Sequence, residues 1–455
     1  MRNRALAPVL AIAAAAAAAP AAAQTVDIKE WPVEWEGRPR DPYVDGQNRV
    51  WFEGQAGNYI GYFTPANEQF KRYEILDGTH PHNLIVDGAG MVWYAGNRNA
   101  HIGKLDPNTG DITRYDMPDP AAGDPHTLVF DSRGDIWFTV QGGGFIGKLT
   151  TSTGKVQLVK VPGERTRPYG IWLDSQDRPW VNLFGTNRIA MVDPATMALK
   201  EVTLPRAEAR TRRIAVTDDD MVWYVDYQGG YLGRLDPKTG DVKVFPTGEA
   251  RDPHTMVFDG SGHIWFTSQQ SNRIGRLDMQ TGEYRLATPH ATPARPYGIV
   301  MDEQGRPWAS LLGTNKVVRL DPKTLAVQPF PEATPDSRSR RLEVTADGSV
   351  WYGDEPRGYL GRIDPATGKV KEYAMPGGAT SKPYALTQDG DGRLWLSQTG
   401  PDKKLVAFDP KSKKFVAEHD VSGTVRHMMY DPKTGAMWFG TDANQIGRVL
   451  TRAVP

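Results

Sequence analysis

Short apolar runs alternate along this chain with turns rich in Gly, Asp and Pro, and the stretch 251–278 shows the unit most plainly. Residues 254–258 form one run, 259–262 a turn, and 263–268 a second run carrying Trp265. Residues 272–277 make a third run after a polar loop, and 283–287 a fourth after Gln280-Thr-Gly282. Four short strands joined by such turns predict one antiparallel meander. The tryptophan recurs at 51, 93, 137, 180, 223, 265, 308, 351, 395 and 438, always 42 to 44 residues apart. A fixed period of that size with four strands per repeat predicts an all-β fold, a β-propeller of ten four-stranded blades in one ring. An isolated blade could not bury both faces, so the ring must close.

The ends of the pattern say how it closes. The tenth repeat stops at its third strand, around 447–450, while Ile28-Lys-Glu-Trp31 parallels Val370-Lys-Glu-Tyr373 in the outer strand of the eighth repeat. The N-terminal segment is therefore expected to complete the last blade and leave no open sheet edge at the seam. The alternative is that the first or tenth repeat is not a complete blade. Before that segment, Arg2 and Arg4 precede an apolar run from Ala5 to Ala19, and Ala21-Ala-Ala23 reads as a small-residue cleavage site. Residues 1–23 are read as a secretory signal, with 24–455 a single propeller domain, periplasmic or secreted and without a membrane span.

A slower rhythm overlies the first. Repeats three, four and five begin DPHTLVF, RPYGIWL and TRRIAV; six, seven and eight begin DPHTMVF, RPYGIVM and SRRLEV, each 128 residues later. Three blades were copied as a block. The Asp-Pro-x-Thr-Gly turns at 106–110, 236–240 and 364–368 suit tight connections between third and fourth strands. The acidic clusters 218–220 and 389–391 fall in hairpins, where tight turns explain them better than calcium does.

Composition removes several functions. With 54 basic and 54 acidic residues nothing favours nucleic acid. With no cysteine there are no disulfides, thiolate nucleophiles or Cys-based zinc sites.

The first strand of each blade should line the central channel, and the residue eleven before each tryptophan should face the same opening. Around the ring these are Arg40, His82, His126, Tyr169, Arg212, His254, Tyr297, Arg340, Tyr384 and His427. A structural position would drift toward Val, Ile or Gly; this ring of imidazoles, phenols and guanidiniums can hold a ligand. Asp124 and Asp252 stand two residues before their histidines, so Pro stiffens the backbone between acid and imidazole, an arrangement able to hold a metal ligand or general base. For any single histidine a local hydrogen bond is an equally good account. Asp226 and Asp354, three residues after their tryptophans, share blades with Arg212 and Arg340 and read as ion-pair partners. The repeated tryptophans read as packing between blades.

The P-H/Y-x-[IL] start, the D-x-x-G turn, the [IV]-W-F-T run and the N-x-I-G-[RK]-[IL] strand resemble the virginiamycin B lyase (streptogramin lyase) family of propellers over essentially the whole mature chain. Members are typically seven-bladed, against ten repeats here. The resemblance implies a carbon–oxygen lyase that opens a cyclic ester or depsipeptide by α-proton abstraction, with a divalent cation such as magnesium stabilising enolate-like charge. On it, His126 or His254 is the general base, Asp124 or Asp252 orients it, and His82, His126 and Asp124 are metal ligands. Arg212 and Arg340 would clamp a carboxylate, while Tyr169, Tyr297, Tyr384, Arg40 and His427 shape a channel for a small or peptide-like ligand. Asp stands where the family has Glu, and Val140 and Ser268 occupy its later carboxylate position. Two other readings stay open: a non-catalytic propeller that binds a ligand or a partner protein, and, ranked lower, a lactonase-like hydrolase holding calcium.

Overall fold

The computed structural model describes residues 27–450 apart from 38, 218, 227–228, 426–427 and 432–433; the side chains of 27, 39–42, 212, 213 and 429 also lie outside the description. The proposed signal segment lies outside the described residues. Ten four-stranded antiparallel sheets follow one another around a ring. Their inner strands are Pro39–Val44, Pro81–Val86, Pro125–Phe130, Pro168–Leu173, Thr211–Val216, Pro253–Phe258, Pro296–Met301, Ser339–Val344, Pro383–Gln388 and Met428–Asp431, which define blades 1 to 10. Among the described residues the only helix is the single 3-10 turn Gly378–Thr380, and none is long and apolar enough to cross a membrane.

Each of the ten repeated tryptophans is at most 1% exposed. Each sits in a separate apolar cluster that spans two neighbouring blades, from Trp51 between blades 1 and 2 to Trp438 between blades 10 and 1. The reading of these residues as inter-blade packing therefore holds. Most are also tethered. In six blades the Asp of the first hairpin accepts the indole N–H, at 2.7 to 3.2 Å, as Asp174 does for Trp180 at 2.8 Å. A buried indole N–H needs such an acceptor. The Asp389–Asp391 cluster is explained in the same way: Asp389 accepts the amides of Asp391 and Arg393, the Arg393 Nε and the Trp395 indole.

The Ile-Gly pair of the third strand also has a packing cause. A Cβ on Gly147 would lie 2.1 Å from the Phe138 ring, which faces it across the sheet. In blades 4, 7 and 9, Ala190, Val318 and Val406 replace this glycine, and the residues opposite shrink to Val181, Ala309 and Leu396. Volume is conserved across the pair.

The last blade consists of Met428–Asp431, Ala436–Thr441, Gln445–Leu450 and, as its outer strand, Asp27–Pro32. Trp31 lies opposite Ile446, its ring centroid 4.1 Å from Phe63 of blade 1 and 6.4 Å from Trp438 of blade 10. Asn444 Nδ2 donates to the carbonyls of Val33 and Trp35 at 2.7 and 2.8 Å. The expected closure is thus the observed one, and both the first and the last repeat are complete blades.

Candidate functional site

In blades 1 to 9 the pairing of the inner strand with the second strand slips by a residue near its start. Such a bulge leaves a residue without a ladder partner and re-aims its side chain. In blade 6, Pro253 pairs with Ser268 and Thr255 with Thr267, so His254 is the extra residue. In blade 3, His126 and Thr127 together face Thr139. In blades 1 and 2 the ring residues Arg40 and His82 keep their ladder partners, Glu53 and Ala95, and the extra residue follows them.

In blades 3, 6 and 7 a small buried polar side chain on the second strand fastens the inner strand of the next blade. Thr139 Oγ1 donates to the Tyr169 carbonyl at 3.2 Å, Thr267 Oγ1 to that of Tyr297 at 3.1 Å, and Ser310 Oγ to that of Arg340 at 3.1 Å. The backbone of one ring residue is thereby set by the preceding blade.

Seven ring residues have described side chains, and these form two arcs. In the first, His82 and His126 have ring centroids 4.1 Å apart, and His126 and Tyr169 5.3 Å apart. In the second, His254 and Tyr297 are 5.3 Å apart, the Arg340 guanidinium lies 5.9 Å from the Tyr297 ring and 5.7 Å from the Tyr384 ring, and Arg341 approaches Tyr384 at 6.0 Å. Arg340 also reaches Glu355 at 3.6 Å. Arg212 and Arg40 occupy the ring register on their strands, but their side chains, and His427 altogether, lie outside the described residues. A ten-membered ring with neighbours about 5 Å apart is on the order of 15 Å across, so residues on opposite sides cannot share one small ligand.

The carboxylates act differently from expectation. Asp124 Oδ2 and Oδ1 accept the amides of Gly142 and Gly143 at 2.5 and 3.0 Å, the turn between the second and third strands of blade 3. Asp252 does the same in blade 6, accepting the amides of Gln270 and Ser271 and the hydroxyls of Ser268 and Ser271. Burial alone would raise the Asp252 carboxyl, but these hydrogen bonds outweigh it and hold it below its usual range. His126 and His254 each share a hydrogen bond between Nδ1 and Oγ1 of the following threonine, Thr127 and Thr255, at 2.9 Å. Burial and the neighbouring His82 push the His126 imidazole down to about 4 against an opposing pull from Asp124, so His126 is neutral at pH 7.

Asp226 and Asp354 are ion-paired, among the described residues with arginines of the loops. Arg206 Nη1 reaches Asp226 at 2.6 Å and Arg357 Nη1 reaches Asp354 at 2.9 Å. The two carboxylates also accept the amides of Arg210 and Arg338. Three devices therefore hold the loop entering the inner strand: an Asp before the proline in blades 3 and 6, an Asp ending the second strand in blades 5 and 8, and a backbone carbonyl in blades 4, 7 and 9. In the last group Phe184, Leu312 and Thr399 donate to the carbonyls of Arg167, Arg295 and Lys382. The 128-residue block repeats this alternation.

The divalent cation that the resemblance implies finds no ready set of donors. Among the described residues no three His, Asp or Glu side chains converge into a metal-holding group. Asp124 is occupied by backbone amides and the His82 and His126 rings lie tilted by 35° over one another. These residues as arranged do not fit a resident cation.

One buried carboxyl gave no sequence signal. Glu332, 3% exposed, accepts Ser339 Oγ at 2.6 Å beside Asp354, and burial, reinforced by the Asp354 charge, pushes its carboxyl up to about 8. The corresponding residue one block earlier is Leu204. Because the folded state keeps a proton that the unfolded chain releases near 4.5, the stability contribution is present below that pH and is lost as pH rises toward 8. The melting temperature of the wild type should fall between pH 5 and 9 more steeply than that of Glu332→Gln, which should become the more stable of the two above pH 8. Parallel melting curves across that range would show that Glu332 does not titrate in this window.

A family model described as the virginiamycin B lyase family matches residues 26–295 and 292–454. No curated protein matches the chain. Among solved structures, a streptogramin B lyase is 29% identical, covering 63% of this chain and 95% of its own, with a TM-score of 0.42. A catalytically inactive virginiamycin B lyase from Staphylococcus aureus with quinupristin is 26% identical, covering 63% and 96%, TM-score 0.42. The dihydro-heme d1 dehydrogenase NirN in complex with DHE is 13% identical, covering 88% and 79%, TM-score 0.46.

Proposed function

The chain belongs to the virginiamycin B lyase family, and from that premise we propose that it is a ligand-binding propeller that holds a small, anionic, peptide-like molecule in its channel. The observation that carries this reading is the contiguous arc His254, Tyr297, Arg340 and Tyr384, in which a guanidinium lies between two phenol rings. A guanidinium so placed is pre-organised for a planar carboxylate, and the rings offer faces to apolar groups. The commitment of Asp124 and Asp252 to backbone amides supports binding over proton abstraction. So does the neutral, weakly basic His126, since a general base works best with a pKa near the working pH.

Thermal-shift titration with linear and cyclic peptide carboxylates tests this. Wild type should be stabilised by members of the set, and Arg340→Ala should weaken that binding at least tenfold, the scale of losing one charged contact. Equal stabilisation of wild type and Arg340→Ala would remove the arc from the reading.

The second reading, carbon–oxygen elimination with His126 or His254 as base, is favoured by the family itself. Incubation with cyclic esters followed by mass spectrometry separates the readings: elimination opens the ring with no change of mass, hydrolysis adds a water, and binding leaves the ring closed. Stoichiometric magnesium binding lost in His82→Ala/His126→Ala would bring the cation back into that second reading. Export to the periplasm or medium belongs to the proposal too, resting on the N-terminal signal pattern.

A further inference from the structure

Blades 3 and 4 and blades 6 and 7 carry two copies of one His–Tyr arrangement that agree in ring geometry and differ in surroundings: His126 is half-buried against His82, whereas His254 is exposed. His126 and Tyr169 have ring centroids 5.3 Å apart with planes at 43°; His254 and Tyr297 are 5.3 Å apart at 38°. Each histidine shares a hydrogen bond with the threonine after it, and each tyrosine carbonyl is held by a threonine of the preceding blade. Two residues before each tyrosine, across a proline, stand Arg167 and Arg295, both exposed and both with φ of +50°. A side chain with a Cβ adopts that region at a cost of about 1 kcal/mol and keeps it only where the surroundings impose it. The imposition is visible: the amides of Phe184 and Leu312 donate to the Arg167 and Arg295 carbonyls at 3.1 and 3.2 Å. By contrast, the hairpin turns at the same places have diverged, from Gly142-Gly-Gly144 to Gln270-Ser-Asn272.

We propose that the channel holds two related subsites for a flat aromatic carboxylate, one formed by His126, Tyr169 and Arg167 and the other by His254, Tyr297 and Arg295, so that one chain binds two molecules. The inference rests on the ligand-binding reading above and adds its stoichiometry and ligand class. The imidazole and phenol supply ring faces for stacking, and the lip guanidinium supplies a bidentate fork for the carboxylate. Proline fixes φ of the residue between them, so the backbone carries arginine and tyrosine in the same relation in both copies. The subsites are offset by three blades of the ten, with blade 5 between them.

Equilibrium dialysis of the mature chain with benzoylglycine, taken to saturation at low salt, tests the proposal. Two molecules should bind per chain; Arg167→Gln and Arg295→Gln should each reduce this to one, and the double variant should bind none. Both arginines are exposed, so the variants should keep the wild-type melting temperature, which serves as the folding control. Saturation at one molecule, or at two that neither substitution removes, overturns the paired subsites while leaving a channel ligand in place. No binding by the wild type overturns the ligand-binding reading and the paired subsites together.

Discussion

Trp31→Ala should destabilise the protein by about 3–5 kcal/mol, the range for truncating a large buried aromatic. Trp31 is 6% exposed and belongs to an apolar cluster with Phe52, Phe63, Trp438 and Ile446, drawn from the first and last blades. It is also part of the strand that seals the ring. Deleting residues 27–32 should do more, because Gln445–Leu450 would keep Ala436–Thr441 on one side but lose its outer partner along its whole length and become a bare edge. Denaturant midpoints measure the first effect; size-exclusion chromatography of the deletion variant, expected to self-associate, measures the second. Trp172, 51% exposed, is the internal control, and its alanine variant should stay within about 0.5 kcal/mol of wild type. Equal losses at Trp31 and Trp172 would mean that the seam bears no special part of the stability.

Asp174→Ala should cost a similar amount, about 3–5 kcal/mol, by stranding a partly buried guanidinium. This carboxylate accepts the amides of Gln176 and Arg178, the Arg178 Nε at 2.7 Å and the Trp180 indole at 2.8 Å. Removing it leaves four donors without an acceptor, one of them charged, against a blade interface where Trp180 is fully buried. Asp174→Asn keeps one acceptor oxygen for the turn and should lose clearly less. Measured by urea unfolding, alanine and asparagine variants of equal and small effect would show that the indole anchor is not a source of stability.

The pH response of Glu332 and the two arginine subsites concern parts of the chain that carry no repeat-wide pattern. That difference bears on what could be read in advance. The tryptophan period, the turn residues and the match of 28–31 to 370–373 are local signals, each set by strand alternation and turn chemistry within a few tens of residues. They were sufficient for ten blades in one ring and for the N-terminal strand that closes it. The ring of residues eleven before each tryptophan was legible for the same reason, since a constant offset from a packing residue gives a constant place on the inner strand.

What the side chains do there was decided only in three dimensions. Asp124 and His126 are neighbours in sequence, yet the carboxylate turns to amides 18 and 19 residues away. Asp226 and Asp354 share blades with Arg212 and Arg340, yet pair with Arg206 and Arg357 from loops. In each case the choice follows from which unpaired backbone donor or buried charge the folded loops bring within reach, and a periodic pattern carries no such information. The bulges that free His254 from its ladder, and the contacts of His82 with His126 and of Arg340 with two tyrosines, likewise arise between strands and between blades. The sequence by itself determined the ring, because burial of both blade faces is dictated by local alternation repeated ten times. The tertiary structure alone decided the site, because hydrogen-bond partners are selected by proximity across the fold and not by distance along the chain.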